Sequence, residues 1–491
     1  MSPNDHDDFL AELDPAQLAT LARRYQRLSR EDGAFVLLAD GVELPIPPIL
    51  TPIVLGGEEQ AALASDARLL LSAIAKVARD LLDRGDPAMQ AQLFAPLSSL
   101  ERAALAATNR EAEQLATARV DFLVGEDGHA RALEVNATIP AMQGYADAVA
   151  AAWIRAVGEQ RGCSAEKIEA AITRNGRNTD DLLASLLAHH AAVTGRHDDR
   201  PRAIAIVARP HDSQSGELDH YVRRWRTLGH EVWRVTPGEV APGANGPMAA
   251  GRAADLLYRH VFLRRLEPNS ALSRMLLDPH QHRVWNPPAS HLELKGMLGL
   301  LSAAHTDDER CAQIGLSFEE RTAAARRLPW TRLCTRTPAR GPEGQELDDV
   351  LAFARAHQDE LVLKRSWDYG GRGVFLGAEL DERMSQARLR ELLGVNGEIT
   401  WPMLVDHIER SGEAWVVQSL VDVRPRNLLR VEDTGAVRRA LYADLSAFTS
   451  LGNDVAVTGG AVRASGGRIV NIQGGGGLCP LLRREALALL R

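Results

Sequence analysis

Residues 119–136 read RVDFLVGEDGHARALEVN, two short apolar runs flanking Glu126-Asp127-Gly128. Asp-Gly favours the left-handed backbone of a tight turn, so the runs are expected to pair as an antiparallel hairpin. Side chains two apart on a strand point the same way, which groups Arg119 with Asp121 on one strand and Glu134 with Asn136 on the other. Asp121, Glu134 and Asn136 offer hard oxygen donors of the kind that suit Mg²⁺, an ion that keeps several waters and bridges phosphates. The face therefore points to a nucleoside triphosphate. An ordinary charged hairpin face is the alternative, because E-x-N is a common pattern when it stands alone.

A second element narrows the choice. In DELVLKRSWDYGGRGVFLG, residues 359–377, an apolar strand delivers Lys364 and a loop with Gly370, Gly371 and Gly373 follows before another apolar run. Glycines let backbone N–H groups approach phosphate oxygens without Cβ interference, and the lysine adds a mobile charge. A plain hairpin needs fewer glycines than three within four positions. Further on, WVVQSLV at 415–421 reads as a buried strand carrying Gln418, and Arg424, Arg426 and Arg430 are either anion ligands or solvated arginines. The closing segment GGAVRASGGRIVNIQGGGGLCPLL, 459–482, carries Arg463, Asn471, Gln473 and the run Gly474 to Gly477. Successive glycines are entropically costly, so a close backbone approach to a ligand or a mobile lid competes with a simple flexible loop.

Taken together, these elements resemble the ATP-grasp superfamily, with one departure in order: the carboxylate segment precedes the lysine and glycine-loop segment. That order resembles the circularly permuted ATP-grasp proteins, a group related to the synthetase part of glutathionylspermidine synthase. The resemblance implies an α/β (α+β) chain with a helical N-terminal region at 1–115 and a permuted ATP-grasp segment at 116–200. It places a pre-ATP-grasp-like α/β domain at 201–280 and the nucleotide-binding lobes at 281–491. It further implies ATP and Mg²⁺ as cofactors, with Asp121, Glu134 and Asn136 on the metal. Lys364, Gly370, Gly371 and Gly373, with Lys295 from VWNPPASHLELK, would hold nucleotide phosphates, and Gln418 would sit at the adenine hinge. Arg119 and Arg463 would be catalytic, Arg119 stabilising an oxyanion. The implied activity is ligation of a small carboxylate to a small amine through an acyl phosphate. A phosphotransferase, or a binding protein that keeps the fold without catalysis, is the competing class.

The rest of the chain fits several packed lobes. Asp14-Pro15 reads as a helix start, and Leu69, Leu70, Ile74, Val77 and Leu81 recur on one side of a long helix over 58–85. AIAIVA at 203–208 and EVWRVT at 231–236 read as strands around a helix carrying Leu218, Tyr221 and Trp225, with no G-x-G-x-x-G after Val207. With 57 basic and 65 acidic residues the formal charge is −8, and the arginines are dispersed, which argues against a nucleic-acid surface. The acidic start lacks a secretory pattern, and the apolar run at Ala148–Ala152 is broken by Asp147 and Arg155, so a cytoplasmic protein without membrane contact is expected. Cys163, Cys311, Cys334 and Cys479 are too far apart for a Cys-x-x-Cys site and read as free thiols. Nothing in the pattern specifies an oligomeric state.

Overall fold

The Asp-Gly turn forms as its chemistry dictates. In a computed structural model that describes residues 7–108, 114–198, 200, 202–368, 370–433, 435–472 and 474–491, Gly128 adopts φ +78°. Strands Ala118–Val124 and Ala130–Asn136 pair antiparallel, with Asp121 opposite Glu134 and Arg119 opposite Asn136. The register shifts between Asp121 and Phe122, a bulge of the kind that re-aims side chains beside functional sites. Gln473 lies outside the described residues.

The hairpin is the edge of a larger sheet completed from the far end of the sequence. Ala118–Val124 pairs with the long strand Gly435–Thr449, which brings Ser446 opposite Asp121. Gly435–Thr449 pairs in turn with Gly460–Ser465, and that strand with Gly477–Cys479; Arg426–Glu432 pairs with the other half of the long strand. A second, four-stranded antiparallel sheet runs Thr331–Leu333, Trp415–Ser419, Leu361–Arg365, Val374–Leu376. Its central strands carry Gln418 and Lys364.

The third sheet is parallel, in the order Val284–Trp285, Leu256–His260, Ala203–Ala208, Glu231–Val235. Its central strand Ala203–Ala208 is buried almost throughout, as the continuous apolar run required. Arg259 on Leu256–His260 is fully buried. It gives its donors to the carbonyls of Val261, Asn286, Pro287 and Thr138, so this sheet is tied to the chain just beyond the hairpin.

Helix Gly57–Arg84 buries Leu70, Ile74, Val77 and Leu81, with Leu69 half-buried, against a core shared by the hairpin and helix Lys295–Ala304. Each such side chain contributes about 1.5–3 kcal/mol. Asp14 caps helix Pro15–Glu31 by accepting from Ala16 and Gln17 N–H, with Pro15 in the first turn. The stretch before residue 115 also contains short strands. Phe35–Leu37 and Glu43–Pro45 form a small hairpin, and Ile53–Leu55 pairs in parallel with Leu481–Arg483. The apolar stretch after the hairpin divides into helices Gln143–Gln160, Ala165–Asn175 and Asn178–Thr194. Among the described residues no helix is long and apolar enough to cross a membrane, and all four cysteines are free thiols.

Candidate active site

The hairpin sheet and the lysine sheet face each other across a cavity of about 680 Å³. Arg119, Asp121, Glu134 and Asn136 line it from one side; Lys364, Gln418, Gly370 and Gly371 line it from the other, and Lys295 and Arg463 complete the ring. Ten of the eleven residues to which the family resemblance assigns a site role thus border one space, although they come from segments spread over most of the chain.

Asp121 is buried and saturated. Its Oδ1 accepts from Arg119 Nε at 2.7 Å and Ser446 Oγ at 2.7 Å. Its Oδ2 accepts from Arg119 Nη2 at 2.9 Å, Arg463 Nη2 at 3.0 Å and Asn136 Nδ2 at 3.2 Å. Burial works against its charge, but Arg119 and Arg463 outweigh it and hold the carboxyl well below the usual range. Expected among the metal donors, Asp121 instead spends its lone pairs on anchoring two arginines. Arg119 donates further to the Ala141 carbonyl at 2.7 Å. Burial alone would lower the Arg463 guanidinium, yet Asp444, against which it packs at 2.5 Å, and Asp121 raise it.

Of the three expected donors, Glu134, whose side chain is 34% exposed, and the amide oxygen of Asn136 remain for a cation. Among the described residues no cluster of three His, Cys, Asp or Glu side chains forms a metal cage. Two protein donors in a wide cavity fit Mg²⁺, which binds through one or two protein oxygens and completes its shell with water and phosphate.

Both lysines reach the Leu133–Glu134 stretch of the hairpin. Lys295, in the first turn of its helix, lies 3.5 Å from Glu134 Oε2 and donates to the Asp368 carbonyl at 3.0 Å. Lys364 donates to Gln418 Oε1 at 2.6 Å and to the Leu133 carbonyl at 3.3 Å. Burial pushes its ammonium down to about 8; Glu134 opposes that fall and Lys295 adds to it. Gln418 also donates to Thr331 Oγ1 at 2.9 Å. The Gln418 side chain, expected at an adenine, is therefore committed to fixing the lysine, while Ser419, Leu420 and Val421 continue along the cavity wall.

Gly370 and Gly371 have φ +67° and +74°, conformations that favour glycine. A Cβ on Gly371 would lie 2.5 Å from Ile469 Cγ2. The Gly370 carbonyl accepts from Asn471 at 2.9 Å and that of Gly371 from Arg388 at 2.8 Å, so the glycine loop and the closing glycine-rich segment meet over the cavity. Gly373 does not border the cavity. Its carbonyl accepts from Arg365 N–H at 2.8 Å and a Cβ there would lie 2.8 Å from Arg365 Cβ, which makes it a residue of strand closure. Arg424 pairs with Glu126 at the surface, and neither it nor Arg426 nor Arg430 borders the cavity.

Sequence reasoning missed Asp444, Ser446 and Glu293. Asp444 and Ser446 alternate with apolar residues in YADLSAF, a period-two signal that marks one face of a strand. Glu293 accepts from the N–H groups of Ala137 and Thr138 at 2.8 and 2.5 Å, fixing the chain directly after Asn136. Nothing in its local sequence distinguishes it.

Among solved structures, the chain is similar to one described as a glutathione synthetase-like effector (GSS30) from Globodera pallida in apoform. The two share 12% identity over 96% of this chain and 98% of that one, with a TM-score of 0.59. At that identity the likeness is one of fold: a mixed α/β architecture of the glutathione synthetase-like kind. No family model matches the chain, and no curated protein matches it.

Proposed function

We propose that the chain is an ATP- and Mg²⁺-dependent ligase of the ATP-grasp type, in circularly permuted order, that joins a small carboxylate to a small amine. The observation that carries this reading is the convergence of Lys295, 3.5 Å from Glu134, and of Lys364 on one cavity that Gly370 and Gly371 also line. Two cations, one open carboxylate and a glycine loop are the parts a triphosphate with its metal requires. The glutathione synthetase-like fold supports the same class.

In this reading Glu134 and Asn136 hold Mg²⁺, while Lys364 and Lys295 bind phosphate oxygens and neutralise charge that builds on the transferred group. ATP supplies the activation, by converting the substrate carboxylate to an acyl phosphate. Arg119 and Arg463, locked by Asp121 and Asp444, present fixed positive charge at the cavity wall and stabilise negative charge that develops on oxygen as the amine attacks. The loops meeting at Asn471 and Gly370 exclude water that would hydrolyse an activated acyl group. Residues 201–280 act as the pre-ATP-grasp-like unit beside nucleotide-binding lobes at 281–491, with 1–115 and 116–200 completing the site.

Product analysis tests the reaction class. With Mg-ATP and a pool of acids and amines, a ligase yields ADP, phosphate and a new amide in equal amounts. A phosphorylated acceptor without amide identifies a phosphotransferase and overturns the ligase reading.

A further inference from the structure

We infer that the substrate entering beside the small hairpin Phe35–Leu37 and Glu43–Pro45 carries an uncharged, apolar body; the inference rests on the ligase reading of the cavity. The cavity has two chemically different ends. All of its charged lining residues belong to the hairpin sheet, the lysine sheet with its glycine loop, the Glu293–Lys295 segment and the closing loop. The other end is built by Leu37, Leu38, Leu44, Ile46, Tyr145 and Phe262, with Ser213 and Gln214 as its neutral polar groups.

These residues form one wall because the backbone ties them together. Leu37 N–H donates to the Ser213 carbonyl at 2.9 Å. Gln214 Oε1 meets His260 Nε2 at 2.6 Å, two residues before Phe262. Glu217, on the helix that follows Gln214, accepts from Met142 and Gly144 N–H at 2.8 and 3.0 Å and so positions the turn that leads to Tyr145.

The same hairpin, which also carries the exposed carboxylates of Asp40 and Glu43, exposes apolar side chains beside the cavity. Leu38, Val42 and Leu44 are 40%, 55% and 51% exposed, an unusual concentration of large apolar side chains on one short hairpin. An exposed apolar cluster at the mouth of a cavity marks a surface that a ligand covers. An ionised group laid on this wall would lose hydration and find no partner, whereas each methylene placed there gains about fourfold in affinity.

The test uses the full chain with Mg²⁺ and a non-hydrolysable ATP analogue. Calorimetric titrations compare butylamine, hexylamine and 1,6-diaminohexane, and separately butanoate, hexanoate and adipate. In the amine or the acid series, affinity should rise about fourfold per methylene, and the doubly charged member should bind at least tenfold more weakly than its singly charged counterpart. Leu44→Glu, a change at a half-exposed side chain, should flatten the chain-length dependence; an unfolding transition at the native midpoint certifies that it folds. A native protein that shows no chain-length effect, favours the doubly charged ligands or binds none of them overturns the inference. Binding of the ATP analogue, measured first in the same experiment, separates the two claims. With nucleotide bound and chain length irrelevant, only the apolar-substrate inference falls; without nucleotide binding, the ligase reading falls and takes this inference with it.

Discussion

Asp121 and Glu134 face each other across one hairpin, yet their surroundings assign them opposite tasks. Asp121 is enclosed by donors, so removing its charge leaves buried Arg119 without its carboxylate partner and Arg463 with Asp444 alone. Asp121→Asn should destabilise the nucleotide-free protein by about 3–5 kcal/mol in urea unfolding. Glu134→Gln, at a half-exposed carboxylate, should change that stability by less than about 1 kcal/mol while weakening Mg²⁺-dependent ligand binding. Equal stability losses in the two variants would contradict this division of labour. Lys364 yields a pH prediction. Its ammonium is held down to about 8 in the folded protein, and a polyphosphate bound as proposed would favour the protonated form and raise that value. Affinity is therefore fully present below pH 8 and declines above it, by up to about tenfold per unit. A titration series from pH 7 to 9.5 should show this decline in the native chain and a flattened profile in Lys364→Arg.

Among the elements, the contact between the glycine loop and the closing segment is the most sensitive to side-chain volume. Gly371→Ala places a methyl 2.5 Å from Ile469 at a left-handed backbone position. It should weaken nucleotide binding about tenfold, with an unfolding midpoint close to native; unchanged affinity would show that this loop does not cover the ligand. The elements that bear the site were legible where a local rule sufficed. The Asp-Gly turn with period-two alternation revealed the hairpin and the Asp121, Glu134 and Asn136 face, and an apolar run before glycines revealed the Lys364 strand. What stayed hidden depended on partners distant in sequence. That Asp121 meets Ser446 and Arg463, or that Gln418 holds Lys364, follows from strand pairing over tens to hundreds of residues, and no local pattern encodes it. Gly373 shows the converse: its spacing looks like phosphate chemistry, but its contacts are those of a closing strand pair.

At the level of the whole molecule, the two ends of the sequence are structurally interdependent. Ile53–Leu55 has Leu481–Arg483 as its strand partner, and Leu481, Leu482, Leu487 and Leu490 are buried. Deleting residues 481–491 should remove on the order of 6 kcal/mol or more, comparable to the entire stability of many domains, and leave a chain without a cooperative melting transition. The central claim concerns the same scale, since it holds that two sheets assembled from distant segments jointly bind one nucleotide. Calorimetry of ATP with and without Mg²⁺, on native protein, Glu134→Gln and Lys364→Ala, addresses it most directly. Mg²⁺-dependent binding by the native chain, weakened at least tenfold by either substitution although they lie on opposing sheets, is the expected result. Absence of ATP binding by the native chain, or binding indifferent to both substitutions, would contradict it.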